Sequence, residues 1–110
     1  MTDFIEIRTT TDDREGAQKI AQALVSQRLA ACVQVIGPIT STYWWQGEMS
    51  ETDEWICAAK TQKALYSAVE QAIRENHTYE EPEIIATEIV TGSAGYLNWI
   101  AQETQKEANQ

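Results

Sequence analysis

The one histidine of this chain, His77, is its most versatile side chain chemically. An imidazole can carry a proton near neutral pH or ligate a metal ion. A lone loop histidine is ordinarily a solvated polar residue, so the bland reading stands beside the sharp one. Downstream lie Tyr79 and the carboxylates Glu80, Glu81 and Glu83, which flank Pro82. Carboxylates beside an imidazole can hold a divalent cation weakly, although an acidic solvated loop is the plainer reading. Cys32 and Cys57 are the only thiols. Neither belongs to a C-x-x-C pair, and with one histidine they make a poor zinc site within one chain. A site shared between subunits stays open. In apolar strands such thiols behave as small hydrophobes. Lys60 closes an apolar run beside Thr61, where it either snorkels to solvent or binds an anion in a cleft. The sequence has no P-loop, dinucleotide-binding glycine motif, nucleophile elbow or H-E-x-x-H. It therefore offers little for catalysis, and we expect no enzyme.

These residues sit on a chain of 110 residues, which fits one domain spanning residues 1–110. Its apolar content of 43% is normal for a globular protein. Four Trp and four Tyr argue against disorder. The net charge of -9 opposes nucleic-acid binding and docking on anionic membrane. Such a surface serves solubility first and attracts cations second. No apolar run approaches the length of a membrane span, and no signal peptide is visible. A cytoplasmic protein with reduced thiols is the expectation.

The elements that must position these groups are legible from periodicity. Alternation of Ile5 and Ile7 with Glu6 and Arg8 predicts a strand over 3–10. Thr11-Asp12-Asp13 supplies N-cap oxygens, and Glu15, three residues after Asp12, reads as in a capping box for a helix over 14–29. Its apolar stripe is Ala17, Ile20, Ala21, Leu24, Val25 and Leu29. A long extended segment follows over 31–45, interrupted by Gly37-Pro38, where a bulge or bend is expected. Gln46-Gly47 reads as a turn that Met49-Ser50 could lengthen. A third strand is predicted over 51–60, and with that turn Cys57 would face Ile36, too far along from Cys32 for a disulfide. A bulge at Gly37-Pro38 would shift this register. Thr61 is expected to cap a helix over 62–76 with Leu65, Ala68, Val69, Ala72 and Ile73 inside. A fourth strand over 83–91 and a last helix from a Ser93 cap to about Thr104 complete the chain, leaving a polar, frayed tail over 105–110. The order is that of an α+β, ferredoxin-like βαββαβ sandwich with a long central β-hairpin and an extra C-terminal helix.

Two features predict self-association. The segment 31–45 would span roughly 50 Å, against about 24 Å for the first helix. The overhang carries Tyr43, Trp44 and Trp45, with Trp55 on the returning strand. Such rings bury ~150–250 Å² each, so several contribute on the order of 10 kcal/mol gross. The runs Trp55–Ala59 and Ile84–Ala86 are apolar on both faces, so the sheet needs cover on its second side too. Either the last helix supplies all of it or another subunit does.

The residues also resemble a known family. Arg28-Leu29-Ala30-Ala31-Cys32-Val33, the run from Thr40 to Gly47, Lys60-Thr61, His77-Thr78-Tyr79-Glu80-Glu81-Pro82-Glu83 and Tyr96-Leu97-Asn98-Trp99 are similar, in order, to the signatures of the CutA divalent-cation-tolerance proteins. The resemblance implies a ferredoxin-like subunit in a tight homotrimer related to the PII signalling proteins. It also implies a link to copper tolerance, with Cu²⁺ as the possible metal. Bacterial members take a copper site from a first-strand Cys and a His pair. Those positions are Arg8, Asn76 and His77 here, and the Pro after the His pair is Thr78. Only His77 matches, and a cationic Arg8 repels a metal ion. The resemblance thus implies a non-enzymatic homotrimer with His77 as the metal candidate. A second reading is a PII-like sensor of a small anion in a cleft between subunits, lined by Cys32, Lys60, Tyr79, Glu83 and Trp45. A structural trimer that scaffolds a partner protein is the third.

Overall fold

A computed structural model describes residues 3–105, so the expected fraying of the tail lies largely outside the described residues. The elements are β1 (Phe4–Thr11), α1 (Arg14–Ser26), β2 (Cys32–Trp45), β3 (Glu48–Gln62), α2 (Tyr66–Glu75), β4 (Ile85–Glu88) and α3 (Ala94–Glu103). The four strands form one antiparallel sheet in the order β2-β3-β1-β4. This is the ferredoxin-like arrangement that the element order predicts.

Alternation along β1 decides which side of the sheet meets α1 and α2. Ile5, Ile7, Thr9 and Thr11 are buried on the helix side, while Glu6 and Arg8 lie on the other. Ala17, Ile20 and Leu24 of α1 and Val69, Ala72 and Ile73 of α2 close the core with Cys57, Ala59 and Leu65. Val25, predicted inside, turns to solvent.

Several element ends differ from expectation. Of the three cap candidates, Asp13 is the N-cap of α1, its carboxylate accepting from Gly16 N at 2.6 Å. The helix stops at Ser26 because Arg28 takes a left-handed conformation, φ 60°. Its N–H reaches Val25 O at 3.0 Å and Leu29 N reaches Leu24 O at 2.9 Å, a Schellman ending. The Arg28 side chain also donates to the Glu103 carboxylate at 2.8 Å, tying α1 to the end of α3. Thr61 is no helix cap. It belongs to β3, and its buried hydroxyl donates to Leu29 O at 2.6 Å. A 3-10 turn, Lys63–Leu65, intervenes before α2. β4 is shorter than predicted: only Ile85–Glu88 pairs with β1. Ser93 does cap α3, accepting from Tyr96 N at 3.3 Å.

The hairpin between β2 and β3 turns tightly on Gln46 and Gly47, both at positive φ (51° and 82°), so β3 begins at Glu48 and Met49-Ser50 join the ladder. Two consecutive positive φ values match the strand twist, and glycine takes the second at no steric penalty. The expected irregularity at Gly37-Pro38 is present. The register shifts by one between Ile36 and Ile39, which places Cys57 opposite Val35 and not Ile36. Gly37 is required there: a Cβ would stand 2.5 Å from the Trp55 indole.

Candidate functional site

The sequence candidates fall into three places. The first is the sheet face away from α1 and α2. Strand register lines up Cys32, Lys60, Glu6 and Thr87 in one row across that face, and Gln34, Ala58, Arg8 and Ile85 in the next. Glu6 lies between two cations. Its carboxylate meets Lys60 Nζ at 3.1 Å and Arg8 Nε at 3.3 Å, and Lys60 also donates to Gln34 Oε1 at 2.9 Å. Burial pushes the Glu6 carboxyl up, but Lys60 and Arg8 outweigh it and hold it below its ordinary value. Cys32 is half-buried opposite Lys60. Cys57 lies on the other side of the sheet, donates to Ala17 O at 3.2 Å, and has its thiol pushed up to about 11 by burial. Both thiols are free. Alternation sends them to opposite faces, so they cannot be bridged.

The second place is the segment after α2. His77 Nε2 lies 2.8 Å from Thr10 O, and its Nδ1 accepts from Tyr79 N at 3.1 Å. The two rings pack with centroids 4.8 Å apart. The Tyr79 hydroxyl donates to Glu54 Oε2 at 2.7 Å. Glu54 is buried, and sequence reasoning missed it because its partner lies 25 residues away. Desolvation first, then this bond and the Glu54 charge, raise the Tyr79 hydroxyl well above the ordinary phenol range. Glu83 is exposed before β4, and Glu81 turns to Arg74 at 3.5 Å. A hollow of about 200 Å³ beside His77 is bordered by Asp12, Asp13 and Glu15. Even so, no three His, Cys, Asp or Glu among the described residues stand close enough to hold a metal ion.

The third place is the hairpin tip. Trp44, Trp45 and Met49 are 76, 61 and 72% exposed. Ile36 and Ile85 are also exposed, on the sheet's second face. There α3 packs against β3 and buries Ile100, while Tyr96 and Trp99 stay accessible. The last helix therefore covers only part of that face.

The structure thus brings Cys32 to Lys60, and His77 to Tyr79, but keeps the pairs apart. Lys60 pairs with Glu6 and His77 with Thr10, four positions along β1, which is roughly 13 Å of strand. Trp45 is remote from both, at the hairpin end opposite Glu48. No helix among the described residues is long and apolar enough to cross a membrane.

Known proteins place this geometry. The rice protein CutA 1, chloroplastic, is 33% identical over 102 residues, which is 93% of this chain and 58% of the relative. The divalent-cation tolerance protein CutA of Thermus thermophilus is 39% identical over 95 residues, 86% of this chain and 92% of that one. The chain thus spans little more than half the length of the plant relative and nearly all of the bacterial one. The crystal structure of CutA1 from Oryza sativa superposes with a TM-score of 0.93 at 32% identity, covering 96% of this chain and 97% of that one. The model of the CutA1 divalent ion tolerance protein family matches residues 5–103, and the chain belongs to that family.

Proposed function

We propose that this protein works as a non-enzymatic homotrimer in divalent-cation tolerance, in the reducing environment of the cytoplasm. One observation carries the reading. The hairpin tip holds Trp44, Trp45 and Met49 in solvent at the far end of a molecule 44 Å long, beyond the reach of its own core. Large exposed apolar side chains gathered at one end of a fold mark an interaction surface. A ring of identical subunits covers it on every copy at once. The names of the relatives supply the cation link, and Cu²⁺ is the ion to test first.

Light scattering at micromolar concentration should give three times the protomer mass. The double variant W44S/W45S should fall toward the protomer. A monodisperse wild-type monomer would refute the assembly. Isothermal titration with Cu²⁺ tests the cation link separately, with saturable binding expected and a flat trace against it.

The cluster of Arg8 and Lys60 around Glu6 favours a second reading. Two cations on one partly covered face suit a small anion held between subunits. A metabolite panel that leaves the melting temperature unmoved would remove it.

A further inference from the structure

We propose that His77 is a structural latch, which ties the segment after α2 to the edge of β1, and that it is not a metal ligand. Strand parity sets the direction of each carbonyl on β1. On β1, Phe4 directs its carbonyl to the β4 side, where Ile89 N donates to it at 3.0 Å. Thr10 has the same parity, but the β1–β4 ladder ends at the pair Arg8 and Ile85. The Thr10 carbonyl therefore points to where β4 no longer runs. Thr10 is buried, and a buried carbonyl left unpaired is costly. His77 Nε2 fills the vacant ladder position at 2.8 Å.

The other ring nitrogen fixes the tautomer. Tyr79 N–H can only donate, and it points at Nδ1 from 3.1 Å. Nδ1 is thus the unprotonated nitrogen, and Nε2 carries the hydrogen that Thr10 O accepts. Metal ligation needs a nitrogen lone pair. The Nδ1 pair is held by Tyr79. The Nε2 pair would become free only if the hydrogen moved to Nδ1, against the Tyr79 N–H, leaving Thr10 O unpaired. Either route breaks a hydrogen bond that holds the segment in place. The latch acts onward through Tyr79, whose hydroxyl reaches Glu54 on the hairpin.

The other two positions implied for copper have structural roles as well. Asn76 Nδ2 donates to Ala72 O at 2.8 Å and closes the last turn of α2. Arg8 holds Glu6 on the sheet's second face. The donor set of this chain does not fit copper at that site.

Three measurements on the full chain test the latch. Long-range ¹H–¹⁵N correlation spectra of wild type at neutral pH should show the Nε2–H tautomer, unmoved by one equivalent of Zn²⁺. A Nδ1–H ring, or a zinc-induced shift of the His77 nitrogens, would overturn the proposal. Cu²⁺ titrations of wild type, H77N and H77Q should agree within about twofold, whether the traces are saturable or flat. Asn can replace the Nδ1 acceptor and Gln the Nε2 donor, so both should melt between wild type and H77A. A tenfold loss of copper affinity in folded H77N or H77Q would sink the latch. If H77A fails to fold, the wild-type spectrum still decides. Flat traces throughout would remove the cation link and leave the latch standing.

Discussion

The Tyr79–Glu54 bond lets the tie between the 76–84 segment and the hairpin be weighed. Tyr79→Phe removes one oxygen and keeps the ring that packs on His77. The lost contact is a 2.7 Å donation to a buried carboxylate. Hydrogen bonds to charged groups contribute about 1.5–3 kcal/mol. Tyr79 is only half-buried, so water can reach part of the vacated space and the lower end applies. We expect a loss of about 1.5–2 kcal/mol. For a domain of this size that lowers the melting temperature by roughly 6–9 °C. Urea unfolding at one fixed protomer concentration is the assay, because association adds to apparent stability. A cycle with Glu54→Ala isolates the pair, and coupling above about 1 kcal/mol is expected. Hydrogen exchange adds a second readout. The Tyr79 amide donates to His77 whatever the ring carries, so its protection should persist in Tyr79→Phe. A variant within about 0.5 kcal/mol of wild type, with an additive cycle, would refute the reasoning.

Gly37→Ala should destabilise by about 1–3 kcal/mol, because the new methyl would overlap the Trp55 indole. The penalty should shrink when Trp55 is replaced by Leu, and equal penalties in both backgrounds would argue against the clash. Alkali should weaken the fold through Cys57. Its thiol is raised to about 11 in the folded chain and ionises near 8.5 when unfolded. Folding therefore holds a proton that the unfolded chain releases. The stability contribution is intact below about pH 8.5 and is lost as pH rises through about 11. Urea midpoints between pH 8 and 11 should fall less steeply in Cys57→Ala than in wild type; parallel slopes would exclude the thiol.

Much of the fold was legible because it is written in periodicity. The alternation of Ile5 and Ile7 with Glu6 and Arg8 correctly divides the two faces of β1. The stripe of α2 lies inside, with Ala68 half-buried and Leu65 supplied by the turn before the helix. The boundaries were less legible where side chains compete with the backbone. Asp12 and Asp13 are both good caps by type, and only the geometry shows that Asp13 reaches Gly16. Thr61 looks like a cap as well. Its hydroxyl instead serves Leu29, across the gap between the end of α1 and the end of β3. The end of α1 was hidden for another reason. Arginine is an unusual choice for a left-handed position, and periodicity predicts that the helix continues through it.

The candidate site was legible by residue type and not by connection. Chemistry singles out His77, Lys60 and Cys32, but what each does depends on which main-chain groups the sheet leaves unpaired. Thr10 shows why. Nothing in its side chain marks its carbonyl as needing a donor. That need arises from the strand order β2-β3-β1-β4, the parity of β1 and the late arrival of β4. Only after those three facts does a histidine far along the chain become the donor. Glu54 follows the same rule. Its neighbours Asp53 and Trp55 reveal little, and Tyr79 gives it a partner only because the latch turns that ring toward the hairpin. A histidine met in a sequence invites a metal because its nitrogens are counted as free. Counting the carbonyls that the sheet strands first reverses the order of inference, and here it commits both nitrogens before any ion is considered.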